Sequence, residues 1–209
     1  MTRLAVDESA QEEVTVTDHE EYSPKLALRA ARRRRPDPPE TPFHAAIRDA
    51  TEPDVPYMLE IYNHYVANTI VTFDEEPMAL TTMRDKLAHT RKLGYPWLVA
   101  ENPTGQILGF AYVFPWKQKS AYRFTVENSI YLGPAATGKG LGALLLGELL
   151  DRSKQAGLKE VIAVIADPGA EASIKLHERF GFKEIGRMGK VGFKFGRWLG
   201  TVMMQKSIK

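Results

Sequence analysis

A cluster of small residues between two regular segments constrains the fold of this chain more than any other feature. Gly133 to Gly142 follows a long β-type segment, Phe124 to Leu132, and precedes a helix predicted over Leu141 to Ala156. The first N–H groups of a helix have no partners within the helix, and the helix dipole makes that end positive. A glycine-rich turn lets an anion approach these groups closely. The sequence therefore predicts a phosphate-binding loop at a strand-to-helix junction.

Two classes of phosphate-binding loop compete for this segment. Gly133 to Lys139 matches the G-x-x-x-x-G-K pattern of a nucleotide-binding P-loop, but Gly140 follows where that loop needs Ser or Thr to hold Mg²⁺. The alternative is a pyrophosphate loop of the form R/Q-x-x-G-x-G/A, which Thr137 to Gly142 follows except at its first position. A plain turn without a ligand is the third interpretation.

The pattern after residue 43 predicts a mixed α/β domain over residues 44–209. A short strand, His44 to Arg48, is followed by two amphipathic helices with a β-rich segment, Thr69 to Phe73, between them. An antiparallel β meander leads to the glycine-rich loop and its helix. The chain then continues with a buried-type strand, a short helix beginning at the N-cap Ser173, and two closing strands (Val161 to Ala166, Ser173 to Phe180, Phe182 to Ile185 and Trp198 to Lys206). Because strict βαβ alternation is missing, a doubly wound parallel sheet is not expected.

The first 43 residues differ in composition from the rest. Seven acidic residues lie between Asp7 and Glu21, and six basic residues lie between Lys25 and Arg35. Such a segment buries too little apolar surface to offset the entropy of ordering. We therefore expect a disordered charged tail. Nucleic acid is not an expected partner, because the acidic block can neutralise the arginine run and the whole chain has a net charge of only +2.

Composition excludes several kinds of chemistry. The chain has no cysteine, which removes disulfides, thiolate nucleophiles and thiolate-ligated metals. Its apolar runs are much shorter than the roughly 20 residues that a bilayer span needs. His19, His44, His64 and His89 lack the spacing of metal ligands, so no metal site is expected. These features, with no recognisable signal peptide, predict a soluble cytoplasmic protein without a membrane partner.

From about Ile47 to Lys206 the chain resembles the GNAT superfamily of acetyltransferases, and more closely its phosphinothricin and methionine sulfone or sulfoximine N-acetyltransferase branch. The resemblance rests on short motifs spread along the chain: Tyr62 to Val66, Phe73 with Glu76-Pro77, Ala111-Tyr112, Pro115 to Lys117, Ala121-Tyr122, Thr125 to Tyr131, Gly140 to Gly142, Ala163 to Ile165, Ser173 to Glu178, Gly181-Phe182, Gly192 to Lys194 and Trp198.

The resemblance implies a mostly antiparallel, twisted central sheet with splayed central strands and flanking helices. It implies acetyl-CoA as co-substrate, direct transfer to an amine without an acyl-enzyme, and a homodimer. The coenzyme would be bound by the main chain of the central strand and by the glycine-rich loop (Ile130, Tyr131, Leu132, Thr137, Gly138, Lys139, Gly140, Leu141 and Gly142). Two departures from the family pattern concern the coenzyme: Thr137 replaces the usual Arg or Gln, and an Asn commonly found before Ser173 is missing.

The resemblance also assigns catalytic and acceptor-binding residues. An aliphatic amine with a pKa of about 10.4 is protonated at neutral pH, so the reaction needs a base. Glu127 matches the family's general base, and His177 matches a position that could act as acid or as second base. Acceptor contacts are expected from an acceptor wall and from cations that suit a carboxylate or a phosphinyl or sulfonyl group (Phe73, Glu76, Lys117, Lys119 and Arg123). The residues alone also permit a solvent-facing Glu127, a structural His177 and a solvated basic loop.

The most specific function implied is N-acetylation of a small amino-acid-like acceptor of the phosphinothricin or methionine sulfone or sulfoximine type. Acetylation of another amine, such as a protein N-terminus or a polyamine, is the alternative within enzymes. A non-catalytic acyl-CoA-binding regulatory module is the alternative outside enzymes.

Overall fold

The computed structural model describes residues 45–209, so the predicted tail and His44 lie outside the described residues. Within this range the chain forms seven strands and four α-helices, and short 3-10 turns lie between some of them. In chain order they are β1 (Ala46–Asp49), α1 (Val55–Asn68), α2 (Leu80–Lys92), β2 (Trp97–Glu101), β3 (Ile107–Pro115), β4 (Thr125–Leu132), α3 (Leu141–Gln155), β5 (Glu160–Asp167), α4 (Glu171–Arg179), β6 (Lys183–Lys194) and β7 (Arg197–Ser207).

All seven strands of the described residues belong to one sheet, in the order β1-β2-β3-β4-β5-β7-β6. Its neighbouring strands are antiparallel except for β4 and β5, which are parallel. One face packs on α1 and α2, whose Met58, Tyr62 and Leu87 share a core with Phe110 and Tyr131 of the sheet. The other face packs on α3, whose buried leucines share a second core with the strands. The sheet therefore lies between two helical layers, as expected for successive strand residues that face opposite sides.

The two central parallel strands separate soon after they meet. Pairing of β4 with β5 covers only Thr125 to Glu127 on β4 and Glu160 to Ile162 on β5. Beyond that point β4 remains paired with β3 as far as Leu132, while β5 pairs with β7 as far as Asp167. The facing edges of β4 and β5 are thus left without a strand between them. The predicted splay of the central strands is confirmed.

The β-rich segment Thr69 to Phe73 forms no strand, in line with the predicted element order. Side chains satisfy its polar groups: the Thr72 carbonyl accepts a bond from the buried Lys194 ammonium at 2.8 Å, and the Thr72 hydroxyl lies 3.2 Å from that of Tyr62. Several predicted boundaries are wrong. Helix α4 begins at Glu171 rather than with Ser173 as N-cap, since the Ala170 carbonyl already accepts bonds from the N–H groups of residues 173 and 174.

The strand predicted over Phe182 to Ile185 is much longer in the structure. It is β6, a twelve-residue strand that pairs with β7 across two register shifts. Glycines at 186, 189 and 192 interrupt its alternation of apolar and polar residues, so the strand predicted from this alternation was too short. None of the helices in residues 45–209 is long and apolar enough to cross a membrane.

Candidate active site

A cavity of about 460 Å³ occupies the opening between β4 and β5. Its walls come from residues 127–131 of β4, residues 163–166 of β5, residues 71–73 after α1, and the start of α4 with His177, and Thr201 completes the lining. An opening between two strands leaves main-chain N–H and C=O groups available, and such groups seek hydrogen-bond partners. The cavity is therefore suited to an extended ligand that carries amide groups.

Glu127 lies where the strands separate and faces the side of the sheet covered by α1 and α2. It is the last β4 residue paired with β5, and alternation places it on the same side as Tyr131. Its side chain is half-buried, and its carboxylate accepts no hydrogen bond from the residues that the structure describes. Burial raises the pKa of Glu127, while the positive charges of Lys117 and Lys86 oppose that rise. Glu127 is thus a carboxylate whose proton affinity is increased, as a base acting near neutral pH requires.

His177 and Asn128 lie on the opposite face of the sheet and also line the cavity. Both are buried, with exposed fractions of 3% and 6%. The His177 Nδ1 lies 2.8 Å from the Ser173 carbonyl, which can only accept, so Nδ1 carries the proton. The Nε2 atom lies 3.0 Å from Asn128 Nδ2 and accepts a bond from that amide. Both ring nitrogens are engaged, and burial lowers the pKa of His177, which favours the neutral ring.

The glycine-rich loop leads from β4 into α3 and forms an uncapped helix N-terminus. Gly138 and Gly140 have φ values of +74° and +80°, a region that side-chain-bearing residues rarely adopt. No side chain caps α3, and a Cβ added at either glycine would meet open space. Thr137, which replaces the family's Arg or Gln, donates its hydroxyl to the Pro134 carbonyl at 3.0 Å. The loop is therefore open to an anion, and its recognition would rest on main-chain N–H groups.

The other predicted coenzyme contacts differ in their surroundings. Ile130 and Tyr131 line the cavity between the strands, whereas Leu132 and residues 137–142 do not. The Leu132 carbonyl accepts a hydrogen bond from the Tyr65 hydroxyl at 2.8 Å. Gly142 lies against Leu176 of α4, since an added Cβ would come 3.3 Å from that side chain. The loop and the His177 helix are thus packed together beside the cavity.

The predicted acceptor residues do not all meet in one place. Phe73 lines the cavity with Glu127. Lys117, Lys119 and Arg123 line a second hollow of about 1130 Å³, which includes Phe114, the cross-strand partner of Glu127. Glu127 therefore lines the first hollow, and its cross-strand neighbour lines the second. Glu76 is exposed and lines neither of them, so its predicted acceptor contact has no geometric support in the described residues.

Sequence reasoning missed two polar residues at this site. Lys86 of α2 has its ammonium 5.8 Å from the ring centres of both Tyr112 and Phe114, and its charge acts on Glu127 and Asp74. Its position between Met83 and Leu87 on the apolar face of the helix was a usable signal. Asn128 was the other omission, although it lies in the Thr125 to Tyr131 motif and is a polar residue inside a buried strand.

The arrangement suits transfer of an acyl group from a coenzyme to an amine. A sheet that opens beside an uncapped, glycine-rich helix N-terminus can hold a pantetheine arm between its strands and a pyrophosphate at the helix. A carboxylate with raised proton affinity stands at the base of the opening. Within residues 45–209 no three His, Asp or Glu side chains are grouped as a metal site would require. Fold and site together define an acyl-CoA-dependent N-acyltransferase.

Comparisons with known proteins agree with this class. Residues 58–182 match the Acetyltransferase (GNAT) family. The chain is 41% identical to phosphinothricin N-acetyltransferase of Alcaligenes faecalis over 162 residues, which cover 78% of this chain and 82% of that protein. It is 42% identical to an L-methionine sulfoximine/L-methionine sulfone acetyltransferase of Pseudomonas paraeruginosa over 164 residues, covering 78% of this chain and 95% of the other.

Solved structures agree as well. The crystal structure of a GNAT superfamily phosphinothricin acetyltransferase from Sinorhizobium meliloti, in complex with AcCoA, superposes with a TM-score of 0.75 at 42% identity. That match covers 78% of this chain and 88% of the other. The chain therefore belongs to the GNAT acetyltransferase family. It is an enzyme that transfers the acetyl group of acetyl-CoA to an amino group, and the P-loop and non-catalytic interpretations no longer apply.

Proposed function

We propose that the acceptor is a small amino-acid-like amine of the phosphinothricin or methionine sulfone or sulfoximine type, and that Glu127 is its general base. The observation that carries this proposal is the position of Glu127. Its half-buried carboxylate stands where β4 and β5 separate, with the positive charges of Lys86 and Lys117 acting on it. The relatives named for these same acceptors support the choice of substrate class.

A base is needed because an amino group of ordinary basicity reaches the site protonated. A carboxylate in water is too weakly basic to remove that proton efficiently at neutral pH. Burial raises the pKa of Glu127 toward the operating pH, which improves proton transfer. The neighbouring cations keep a large enough fraction of the carboxylate ionised to accept the proton.

Acetyl-CoA supplies the acetyl group as a thioester. The main-chain N–H groups at the start of α3 would bind its pyrophosphate, with Gly138 and Gly140 leaving room for close approach. Main-chain groups of Ile130 and Tyr131, which line the opening, would bind the pantetheine arm. A backbone N–H of β4 in this region would stabilise the negative charge that develops on the thioester oxygen.

Charge around the second hollow favours an acceptor that carries an anionic group. Lys117, Lys119 and Arg123 line this hollow. The Lys86 ammonium lies 5.8 Å from the ring centre of Phe114, which also lines it, and its charge acts on Glu127. These groups would bind a carboxylate or a phosphinyl or sulfonyl oxygen and repel a polyamine. Phe73 would contact the apolar part of the same acceptor from the cavity side.

An acetylation screen with detection of released thiol tests the substrate class. The panel contains phosphinothricin, methionine sulfone, methionine sulfoximine, ordinary amino acids, spermidine and a peptide with a free N-terminal alanine. We expect the three analogues to have the highest kcat/KM. A preference for spermidine or the peptide would refute the proposed acceptor class and leave the acetyltransferase assignment intact.

The assignment of the base is tested by Glu127→Gln. We expect kcat to fall by a factor of about 10² to 10⁴, as for loss of a general base, with acetyl-CoA binding retained. Glu60→Gln, on an exposed position of α1, is the matched control and should be fully active. A Glu127→Gln enzyme with the activity of the control would exclude Glu127 as the base.

The remaining sequence predictions extend the same proposal. We propose that the enzyme acts in the cytoplasm as a homodimer, that it provides resistance to such an amino-acid analogue, and that residues 1–43 form a charged tail outside the catalytic domain. Sedimentation of the full chain tests the dimer. Limited proteolysis with an activity measurement tests whether the tail can be removed without loss of acetylation.

A further inference from the structure

Asn128 has a buried carbonyl oxygen without a partner. Its Oδ1 atom is buried and makes no hydrogen bond within the described part of the chain. Leaving a buried acceptor unsatisfied is costly, and native structures satisfy nearly all of them. Asn128 also lines the opening between β4 and β5. A hydrogen-bond donor from a ligand in that opening would satisfy the atom.

The orientation of the Asn128 amide is fixed by His177. Because His177 Nδ1 donates to the Ser173 carbonyl, the neutral ring presents Nε2 as an acceptor. Only the NH₂ end of an amide can donate to that acceptor, and Asn128 Nδ2 lies 3.0 Å from it. The amide is thereby held with Nδ2 toward the histidine, and Oδ1 remains for another partner. The His177 ring is itself packed edge-on against Phe182, 4.9 Å between ring centres.

Asn128 lies on the side of the sheet from which the coenzyme loop extends. Alternation along β4 places it opposite Glu127 and on the same side as Val126, which packs in the core with α3. Leu176, the neighbour of His177 on α4, contacts Gly142 in the first turn of α3. A pantetheine arm that runs from the glycine-rich loop into the opening would pass on this side of the sheet, whereas the acceptor amine must reach the Glu127 side. An amide N–H of that arm is therefore the donor expected at Asn128 Oδ1.

We propose that Asn128 binds acetyl-CoA by accepting a hydrogen bond from a pantetheine amide N–H through Oδ1, and that His177 is a positioning residue that holds Asn128 in the required orientation. This inference rests on the proposed placement of the pantetheine arm between β4 and β5. It gives His177 a role that acts through Asn128 and requires no proton transfer to sulfur.

The first test is the dissociation constant of coenzyme A, measured by calorimetry without an acceptor. Asn128→Leu, which has nearly the same shape, should weaken binding about three- to tenfold, the value of one buried hydrogen bond. The acceptor KM at saturating acetyl-CoA should stay the same. Ser153→Ala is the matched control, since Ser153 Oγ is also buried and unpaired but lies outside the cavity. Unchanged coenzyme affinity in Asn128→Leu, or an effect on the acceptor KM alone, would overturn the proposal.

The second test separates positioning from acid catalysis at His177. His177→Leu should weaken coenzyme A binding as much as Asn128→Leu does. The double variant should bind coenzyme A with the same affinity as Asn128→Leu alone. His177→Gln, whose side-chain oxygen can replace Nε2 as the acceptor, should restore affinity to within about twofold of the natural protein. At saturating acetyl-CoA, kcat should change little in either His177 variant.

A different outcome would assign another role to His177. If kcat falls by about 10² or more with unchanged coenzyme affinity, His177 acts as an acid or base and the positioning role is refuted. Additive losses in the double variant would also refute it, because independent groups do not share one interaction. If the natural protein acetylates the panel and the Asn128→Leu variant binds coenzyme A normally, this inference is refuted and the proposed function stands.

Discussion

The close approach of β6 to the acceptor side of the cavity gives a sharp prediction. A Cβ atom added at Gly192 would lie 2.5 Å from Phe73 Cδ2 and closer still to Cε2. Phe73 lines the cavity that contains Glu127. We therefore expect Gly192→Ala to displace the Phe73 ring and to impair use of the acceptor.

The size of the effect follows from the displacement. Carbon atoms pack best at about 3.5 to 4.0 Å, so the ring must move by about 1 Å. The loop cannot easily move away as a whole, because the Lys194 ammonium on β6 holds the Thr72 carbonyl at 2.8 Å. A misplacement of about 1 Å at a reacting centre can cost about 10²-fold in rate. Since Phe73 only borders that centre, we expect the acceptor kcat/KM to fall about 10- to 100-fold.

The assay is steady-state acetylation of the best acceptor in the panel, with coenzyme A affinity measured separately. Gly192→Ala should reduce kcat/KM for the acceptor and leave the dissociation constant of coenzyme A unchanged, because Phe73 lies on the Glu127 side. Gly189→Ala is the matched control: it is on the same strand, and an added Cβ there has no neighbour within 4 Å. Equal acceptor kinetics in the two variants would refute the reasoning that places Phe73 against the acceptor.

Three further predictions concern electrostatics, the loop and stability. Lys86→Met should shift the acidic limb of the kcat/KM pH profile to higher pH, because the Lys86 charge no longer opposes the rise in the pKa of Glu127. Lys86→Arg, which keeps the positive charge, should leave the limb in place. An unmoved limb in Lys86→Met would exclude this coupling. Gly140→Asp should abolish coenzyme A binding in calorimetry, because it adds negative charge and a side chain at φ +80°, and unchanged affinity would contradict the loop assignment. Asp54→Asn should lower the free energy of unfolding in urea by about 2 kcal/mol at pH 7, because the Arg48 guanidinium lowers the pKa of Asp54 to about 2. That loss should shrink as the pH falls from about 4 toward 2, where the native carboxyl becomes protonated, and a loss independent of pH would contradict the ion-pair explanation.

Local signals in the sequence were sufficient for most of the fold. The strand ending at Leu132, the glycine-rich loop and the helix from Leu141 lie as predicted, because alternation, helical spacing and glycine each act over a few residues. The predicted GNAT fold and acetyl-CoA-dependent N-acetyltransferase activity are confirmed. Tertiary contacts replace local preference in the β-rich segment around Thr72, whose carbonyl is satisfied by a lysine 122 residues away.

The candidate site was only partly accessible from the sequence. The motif around Glu127 identified the central strand, yet the pattern could not show that pairing with β5 stops at that residue and opens a cavity. The basic residues after Trp116 formed an evident cluster, but their placement in a second hollow depends on how the β3–β4 connection packs against α2. Lys86 and Asn128 were missed because each gains its partners from distant parts of the chain.

The sequence by itself determined the order of strands and helices, the position of the glycine-rich loop and the family, since these depend on residues close together in the chain. The tertiary structure decided which side chains meet. It placed Glu127 at the end of the β4–β5 pairing, joined Asn128 to His177 across 49 residues, and brought Lys86 within range of the Glu127 charge. Burial and long-range pairing set the proton affinity and the orientation of these groups, and neither quantity is encoded in the spacing of residues along the chain.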